Sequence, residues 1–268
     1  MKRSTSLGLS LWNASVMAFL CAPLLVAALN SIGPGELATF PPKEFGVGAY
    51  SHIPSRWFES VATSLLVSAA ATAVAIVLGT MLAFALVRGR LRYVPIIDAL
   101  FRSPLQVPAL VTGVAFLMLF NSVQRFVGFD LRQMGLGLVI AHTAYSIPFV
   151  FSVVLPRLMS LDVQMEEAAH GLGASDRATL VQVTLPLIAP AIAAGGFIAF
   201  FMSFDNLPLS IFLVASGVKV FPVELYAGIQ FEVTRTVYAV AVLVALGSTG
   251  LVMLGYRWIK ATLVDVHG

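Results

Sequence analysis

Residues 61–87 read VATSLLVSAAATAVAIVLGTMLAFALV, an apolar run without a single charged side chain. A helix needs about 20 such residues to cross the hydrocarbon core of a bilayer, so this run is long enough to span a membrane. Between positions 74 and 86 the apolar side chains stand on consecutive rather than alternate positions, which excludes a strand of a membrane β-barrel. The run therefore predicts a transmembrane α-helix.

The rest of the chain has the same character. Of its 268 residues, 59% are hydrophobic and only 11% are charged, and the mean hydropathy is +0.93. Soluble domains carry roughly 25% charged residues, so this composition excludes an ordinary soluble domain. Windows apolar enough to cross a membrane occupy residues 11–32, 61–87, 104–121, 136–155, 187–215 and 237–256. We predict an all-α, polytopic membrane protein with six transmembrane helices.

Basic residues predict the orientation, because Lys and Arg in short loops stay on the cytoplasmic side of the membrane. With the amino terminus inside, ten of the 16 basic residues lie on the cytoplasmic side and six on the other. The densest cluster, Arg88, Arg90 and Arg92, falls in the loop after the second window. We expect both termini to be cytoplasmic. This bias also accounts for the net charge of +3, so no nucleic-acid partner is expected.

The polar segment between the fourth and fifth windows predicts two short helices. Residues 161–172 fit a helix with one apolar face, made of Leu161, Met165, Ala168, Ala169 and Leu172. Gly173 follows directly, and glycine readily takes the left-handed conformation that ends a helix. Ser175 or Asp176 can then cap a second short helix through residues 179–183.

The same segment resembles the cytoplasmic EAA loop of permease subunits in type I ABC importers. It carries Glu167-Ala168-Ala169, then Gly173 after three residues, then Val183 and Leu185-Pro186 after nine more. The resemblance covers essentially the whole chain and implies the type I ABC importer permease fold. It implies a first helix with a periplasmic connection at 1–60, a five-helix permease core at 61–260 with the EAA loop at 157–186, and a cytoplasmic tail at 261–268.

In that family the EAA loop docks into a cleft on an ATPase subunit, and its glutamate contacts that partner. The resemblance implies that Glu167 makes this contact, that Ala168 and Ala169 permit close approach and that Gly173 makes the turn. The ATPase-coupling residues that it implies are Glu166, Glu167, Ala168, Ala169, Gly171, Gly173, Ala174, Leu185 and Pro186. The alternative is an amphipathic helix on the inner membrane surface, which would favour Lys or Arg over two carboxylates.

Partners follow from what the chain lacks and from the resemblance. The sequence contains no Walker A motif, so a separate ATPase must bind the nucleotide. The resemblance implies an ATPase dimer that binds ATP and Mg, a second homologous permease and a periplasmic substrate-binding protein, all at the bacterial inner membrane. Scattered histidines and the single Cys21 give no metal-ligand spacing. We expect a transport subunit that is not an enzyme and has no cofactor of its own.

Asp205, in the fifth window, is the most informative residue for the cargo. An ionised carboxylate at membrane depth is costly, so it should face a cavity or a partner charge. Phe197, Phe201 and Phe204 stand on the same helical face, and aromatic rings beside a carboxylate suit an alkyl-ammonium ligand. The candidate substrate-pathway residues are Phe201, Phe204, Asp205, Asn206 and Tyr145. Alternatively, the phenylalanines pack or face lipid and Asp205 pairs with a basic residue of another subunit.

Residues 203–213, SFDNLPLSIFL, followed by Phe221-Pro222-Val223, are similar to permeases of the spermidine/putrescine importer group. This similarity implies a small-molecule cargo of the polyamine class. Aminophosphonates, oxidised iron and opine-like compounds are alternative cargoes for an ABC permease. A secondary transporter or channel is the rival from another class, but it would show paired broken helices or coupling carboxylates in several windows.

Two further features have structural interpretations. Ala71, Ala75, Gly79 and Ala83 recur every four residues, a pattern typical of close helix packing within a subunit or against a second permease. His142 has no titratable residue three or four positions away, so we expect a hydrogen-bonded structural residue rather than a proton relay.

Overall fold

The computed structural model describes residues 2–33, 45–89, 92–215, 217–231 and 234–265, and every regular element in these ranges is a helix. The prediction of an all-α protein is confirmed. In chain order the helices are α1 (Lys2–Ser31), α2 (Gly48–Ser51), α3 (Ser55–Arg88), α4 (Val94–Arg102), α5 (Ala109–Val127), α6 (Leu136–Met159), α7 (Val163–Gly171), α8 (Asp176–Thr179), α9 (Leu185–Phe204), α10 (Leu207–Ser210), α11 (Phe221–Phe231) and α12 (Arg235–Asp265). A π-helical turn, Leu180–Thr184, joins α8 to α9.

Six helical segments are long and apolar enough to cross a membrane, as predicted. They are Gly8–Ser31, Ser55–Arg88, Ala109–Val127, Leu136–Met159, Asp176–Phe204 and Arg235–Gly255. The segment Asp176–Phe204 combines α8, the π-helical turn and α9 into one run of 29 residues. The second predicted short helix of the polar loop is therefore continuous with the fifth span.

The predicted fifth window, residues 187–215, is wrong at both ends. The helical run begins at Asp176 and stops at Phe204. It stops because the Asn206 side chain caps a new helix, α10, by accepting a hydrogen bond from the Leu209 backbone N–H at 3.0 Å. Pro208 lies in the first turn of α10, where its missing N–H costs no helical hydrogen bond.

Other boundaries shift by a few residues. The helix predicted over 161–172 is α7, which starts two residues later because Asp162 caps it. Helix α12 continues to Asp265, so most of the predicted tail at 261–268 is helical, and residues 266–268 lie outside the described residues. Within the predicted periplasmic connection, residues 34–44 also lie outside the described residues.

Contacts divide the chain into two compact units, residues 1–58 with 224–252 and residues 59–223 with 253–268. The division assigns 224–252 to the unit that contains α1, whereas the sequence placed them in the five-helix core. In the first unit, the Tyr50 hydroxyl donates to Ser31 Oγ at 2.7 Å, and Arg235 Nη1 donates to the Asn30 carbonyl at 3.5 Å. These bonds hold the end of α1 to α2 and to the start of α12.

Helix α6 is the centre of the second unit. A Cβ atom on Gly79 of α3 would lie 3.0 Å from Val150 Cβ, and one on Gly195 of α9 would lie 3.1 Å from Val150 Cα. Glycine at both positions therefore lets α3 and α9 pack closely on α6. The other members of the small-residue stripe, Ala71, Ala75 and Ala83, are fully buried, so the stripe packs within this subunit.

A buried polar network joins α6 to the break between α9 and α10. His142 is 2% exposed, with Nδ1 2.8 Å from Ser203 Oγ and Nε2 3.1 Å from Ser210 Oγ. The Ser210 hydroxyl in turn donates to the Asn206 carbonyl at 2.7 Å. The expectation that His142 is hydrogen-bonded is confirmed.

Candidate coupling loop and substrate pathway

Helix α7 is a well-capped surface helix. Its N-cap residue, Asp162, has extended backbone angles and accepts a hydrogen bond from the Gln164 N–H at 3.0 Å. A capping carboxylate satisfies one of the free N–H groups of the first turn and also interacts favourably with the positive end of the helix dipole. The Asp162 cap therefore sets the residue at which α7, the predicted ATPase-coupling helix, begins.

The end of α7 is a Schellman motif around Gly173. The Ala174 N–H donates to the Ala169 carbonyl at 3.0 Å, and the Gly173 N–H donates to the His170 carbonyl at 2.9 Å. Gly173 has φ +88°, the left-handed region that a side chain disfavours. The predicted turn at Gly173 is confirmed. Gly171, by contrast, lies inside α7 with open space around it.

The chain re-enters a helix at Ser175, whose Oγ accepts a hydrogen bond from the Ala178 N–H at 3.3 Å. The helix then widens to the π-helical turn, where the Leu185 N–H donates to the Leu180 carbonyl. Pro186 follows directly, and a proline ring clashes with the carbonyl four residues earlier in a regular α-helix. A π turn at this point accommodates the Leu185-Pro186 pair at the start of α9.

The two neighbouring glutamates of α7 have different surroundings. Glu166 Oε1 accepts hydrogen bonds from Arg88 Nη2 at 3.2 Å and from Thr184 Oγ1 at 2.9 Å. Arg88 Nε lies 3.0 Å from Glu166 Oε2, an ion-pair contact without hydrogen-bond alignment. The Glu167 side chain is exposed and has no hydrogen bond or ion pair among the described residues. Of these two glutamates, Glu167 is therefore the one whose carboxylate has no partner among the described residues and is available to another molecule.

The predicted apolar face of α7 is covered only in part by the described part of this chain, since Leu161 packs against the core of the second unit while other members of the face are exposed. Met165 is 52% exposed and Leu172, just past the end of the helix, is 91% exposed. Ala168 is exposed and Ala169 is half-buried, so small side chains lie next to the exposed carboxylate of Glu167. A capped helix with a free carboxylate, small residues and uncovered apolar side chains is a surface suited to a protein partner.

The predicted substrate-pathway residues lie around the break between α9 and α10, but they do not form one surface. Asp205 is exposed, and its carboxylate has no ion pair among the described residues. The Tyr145 hydroxyl on α6 lies next to the side chain of Asn206, which is 5% exposed. The structure therefore brings Tyr145 and Asn206 together and leaves Asp205 open.

The phenylalanines of α9 pack mainly against one another. Phe197 and Phe201 have ring centroids 5.0 Å apart, and Phe204 stacks between Phe200 and Phe221 at 6.1 and 5.9 Å. Phe204 is 7% exposed, so in this conformation it contributes packing rather than an open aromatic surface. Phe201 is half-buried.

Sequence reasoning did not find two polar partners of the coupling loop. The sequence predicts only a cytoplasmic position for Arg88, because its partner Glu166 lies 78 positions later in the chain. Thr184 stands inside the EAA-like segment and was not assigned a role. No local spacing rule links residues this far apart, so only the fold reveals that Arg88 and Thr184 both contact Glu166.

Among the described residues, no group of His, Cys, Asp and Glu side chains is arranged to hold a metal ion.

The sequence of this chain is similar to those of known transport proteins. Residues 75–264 match the family described as binding-protein-dependent transport system inner membrane component. The putrescine transport system permease protein PotI of Escherichia coli (strain K12) is 31% identical over 245 residues, which cover 87% of this chain and 84% of PotI. The spermidine/putrescine transport system permease protein PotC of the same strain is 27% identical over 249 residues, 89% of each chain.

Solved structures share the fold. A chain of a bacterial ABC transporter involved in the import of the acidic polysaccharide alginate superposes with a TM-score of 0.71 at 18% identity, covering 97% of this chain and 96% of that chain. A chain of the MetNI methionine ABC transporter, in an inward-facing conformation, gives a TM-score of 0.60 at 19% identity, covering 78% and 96%.

These matches agree with the six apolar helices and the capped polar loop. They assign the chain to a class of membrane-embedded transport components rather than to an enzyme class. The chain belongs to the binding-protein-dependent transport system inner membrane component family, and it is a multi-pass permease subunit of an ABC importer.

Proposed function

We propose that this permease subunit carries a polyamine such as putrescine or spermidine across the bacterial inner membrane. The observation that carries this proposal is the similarity to PotI and PotC along 87% and 89% of the chain, since both names specify polyamine transport. The free carboxylate of Asp205 supports it, because an alkyl-ammonium cargo supplies the opposite charge that a carboxylate in a membrane protein needs.

We propose further that two ATPase subunits bind ATP and Mg, that one of them docks on α7, and that a second, homologous permease completes the pathway. A periplasmic binding protein delivers the cargo, and both termini of this chain lie in the cytoplasm, as the positive-inside rule predicts. The exposed Glu167 and the uncovered apolar side chains of α7 support the docking proposal. ATP-driven closure of the ATPase pair would move α7 and bias the spans between inward and outward access.

The cargo is tested with the complete transporter in lipid vesicles. Each candidate cargo, bound to the cognate binding protein, is compared as a stimulant of ATP hydrolysis and of uptake: putrescine, spermidine, an aminophosphonate, ferric iron and an opine. We expect stimulation by the two polyamines. Stimulation by one of the other compounds and not by polyamines would contradict the polyamine proposal while leaving the importer itself in place.

The same vesicles test Asp205. A charge-assisted bond is worth about 1.5–3 kcal/mol, so Asp205→Asn is expected to reduce diamine uptake roughly tenfold to hundredfold. Asp205→Glu, which keeps the charge, is the matched control and should retain most of the uptake. If Asp205→Asn lowers the uptake of a neutral analogue of equal length by the same factor, the carboxylate is structural and does not meet the cargo.

A further inference from the structure

Three helical elements that are distant in sequence meet at the Glu166 carboxylate. Arg88 is the last residue of α3, Glu166 lies in the first turn of α7, and Thr184 is the last residue of the π-helical turn before α9. The contacts are the 3.2 Å hydrogen bond from Arg88 Nη2 and the 2.9 Å hydrogen bond from Thr184 Oγ1, both to Glu166 Oε1. We call these three residues the Glu166 cluster.

The surroundings favour these bonds beyond an ordinary surface pair. The side chains of Arg88 and Glu166 are 29% and 19% exposed, so the solvent screens them only partly. Each charge also stands at the helix end whose dipole stabilises it, because a cation is favoured at a C-terminus and an anion at an N-terminus. The two helix dipoles therefore stabilise the Arg88–Glu166 ion pair, and the Glu166 carboxylate also binds Thr184.

The cluster changes how α7 is attached to the spans. Through the backbone, α7 reaches α9 by the left-handed turn at Gly173 and reaches α6 by residues 160–162. A helix held only by such turns can pivot without moving the spans. A side-chain connection to the end of α3 and to the π-helical turn adds a second attachment, so a displacement of α7 is passed to both α3 and α9.

We propose that Glu166 is a positioning residue of the transport cycle, which links α7 to α3 and α9 through Arg88 and Thr184, while the neighbouring Glu167 faces the ATPase. This inference rests on the proposed docking of an ATPase subunit on α7. The two adjacent glutamates then have different roles: Glu166 holds α7 to the permease spans, and Glu167 contacts the ATPase. The difference follows from contacts that only Glu166 makes among the described residues.

The test measures three quantities on the assembled transporter in vesicles: ATPase affinity for the permease pair, ATP hydrolysis, and uptake per ATP hydrolysed. Coupling free energies between sites are typically large enough for a fivefold effect or more, so Glu166→Gln is expected to lower uptake per ATP roughly fivefold or more. ATPase affinity should stay at the unmodified value. Arg88→Gln should give the same result, since it breaks the same ion pair.

Charge exchange supplies the matched rescue. Arg88→Glu combined with Glu166→Arg is expected to restore part of the lost coupling, because the ion pair forms again and the Thr184 hydroxyl can accept from a guanidinium as well as donate to a carboxylate. Recovery should be incomplete, because each exchanged charge then stands at the helix end whose dipole opposes it. Arg177→Gln is the control for removing an arginine from the same loop, since its exposed side chain makes no hydrogen bond or ion pair among the described residues. Its uptake per ATP should equal that of the unmodified protein.

Amide hydrogen exchange gives a readout that does not depend on transport. In Glu166→Gln the backbone amides of residues 163–171 should exchange faster in the assembled transporter, and the charge exchange should slow them again. The proposal would be overturned if, in both single variants, the amide exchange rates and the uptake per ATP equalled those of the unmodified protein. So would a loss of ATPase affinity equal to that of a Glu167 variant, since Glu166 would then be a docking residue. Absence of ATP-driven uptake in the unmodified transporter would instead overturn the importer assembly on which the proposal rests.

Discussion

Replacement of Glu167 by glutamine is expected to release the ATPase subunits from the permease. The exposed carboxylate has no partner among the described residues of its own chain, so its charge is available to a partner protein. A hydrogen bond to a charged group contributes about 1.5–3 kcal/mol, which corresponds to roughly a tenfold to hundredfold weaker ATPase affinity in the variant. The measurement is a titration of ATPase subunits onto the detergent-solubilised permease, followed by ATP-driven uptake in vesicles.

A second exposed carboxylate of the same loop provides the control. Asp176 lies in the first turn of α8, and its Oδ1 lies 3.8 Å from His170 Nε2. Asp176→Asn removes the same charge and is expected to leave ATPase affinity within about twofold, as surface charges contribute little on their own. Equal losses in the two variants would indicate a general electrostatic attraction of the loop rather than a specific contact of Glu167.

Replacement of Gly173 by valine is expected to abolish most coupled transport while the protein still inserts in the membrane. The residue has φ +88°, and a non-glycine residue in the left-handed region costs about 1–2 kcal/mol, more for a β-branched side chain. The least costly relief is a shift of the turn, which would break the two hydrogen bonds from the Gly173 and Ala174 N–H groups and reorient α7. ATP hydrolysis and uptake should therefore become uncoupled.

The control for this substitution is only two residues away. Gly171 has open space around it, as Gly173 does, but lies within the regular helix. The resemblance also implies Gly171 as a coupling residue, but its backbone is helical and makes no turn. Gly171→Ala should therefore retain uptake, because alanine favours a helix, whereas Gly173→Ala should reduce it. If Gly173→Ala and Gly173→Val both transport like the unmodified protein, the left-handed turn has no part in coupling.

The sequence predicted the spans well because hydropathy is a local property. It failed at the end of the fifth span, where residues 207–215 stay apolar after the helix has stopped. What ends the helix there is the Asn206 cap on α10, and a cap is visible in a sequence only when the helix boundary is already known. Helix α4, nine residues between two windows, was not predicted because it is too short to span a membrane.

In the coupling loop, the sequence predicts the features that depend on neighbouring residues but not those that depend on distant ones. The turn at Gly173 and the cap at Ser175 follow from neighbouring residues, and the structure confirms both. The different environments of Glu166 and Glu167 do not, because they depend on Arg88, which reaches the loop only through the packing of α3 against α6. Adjacent residues of one helix point about 100° apart, so two identical side chains can serve different partners.

We expect this chain to move solute only when a separate ATPase acts on the loop around α7. The most direct measurement compares uptake into vesicles that contain the permease pair with and without the ATPase subunits, with binding protein and cargo outside and ATP inside. Cargo should accumulate with the ATPase present, and none should accumulate without it under any ion gradient. Uptake by the permease alone, driven by a proton or sodium gradient, would show that the chain is a secondary transporter and not a subunit of an ATP-driven importer.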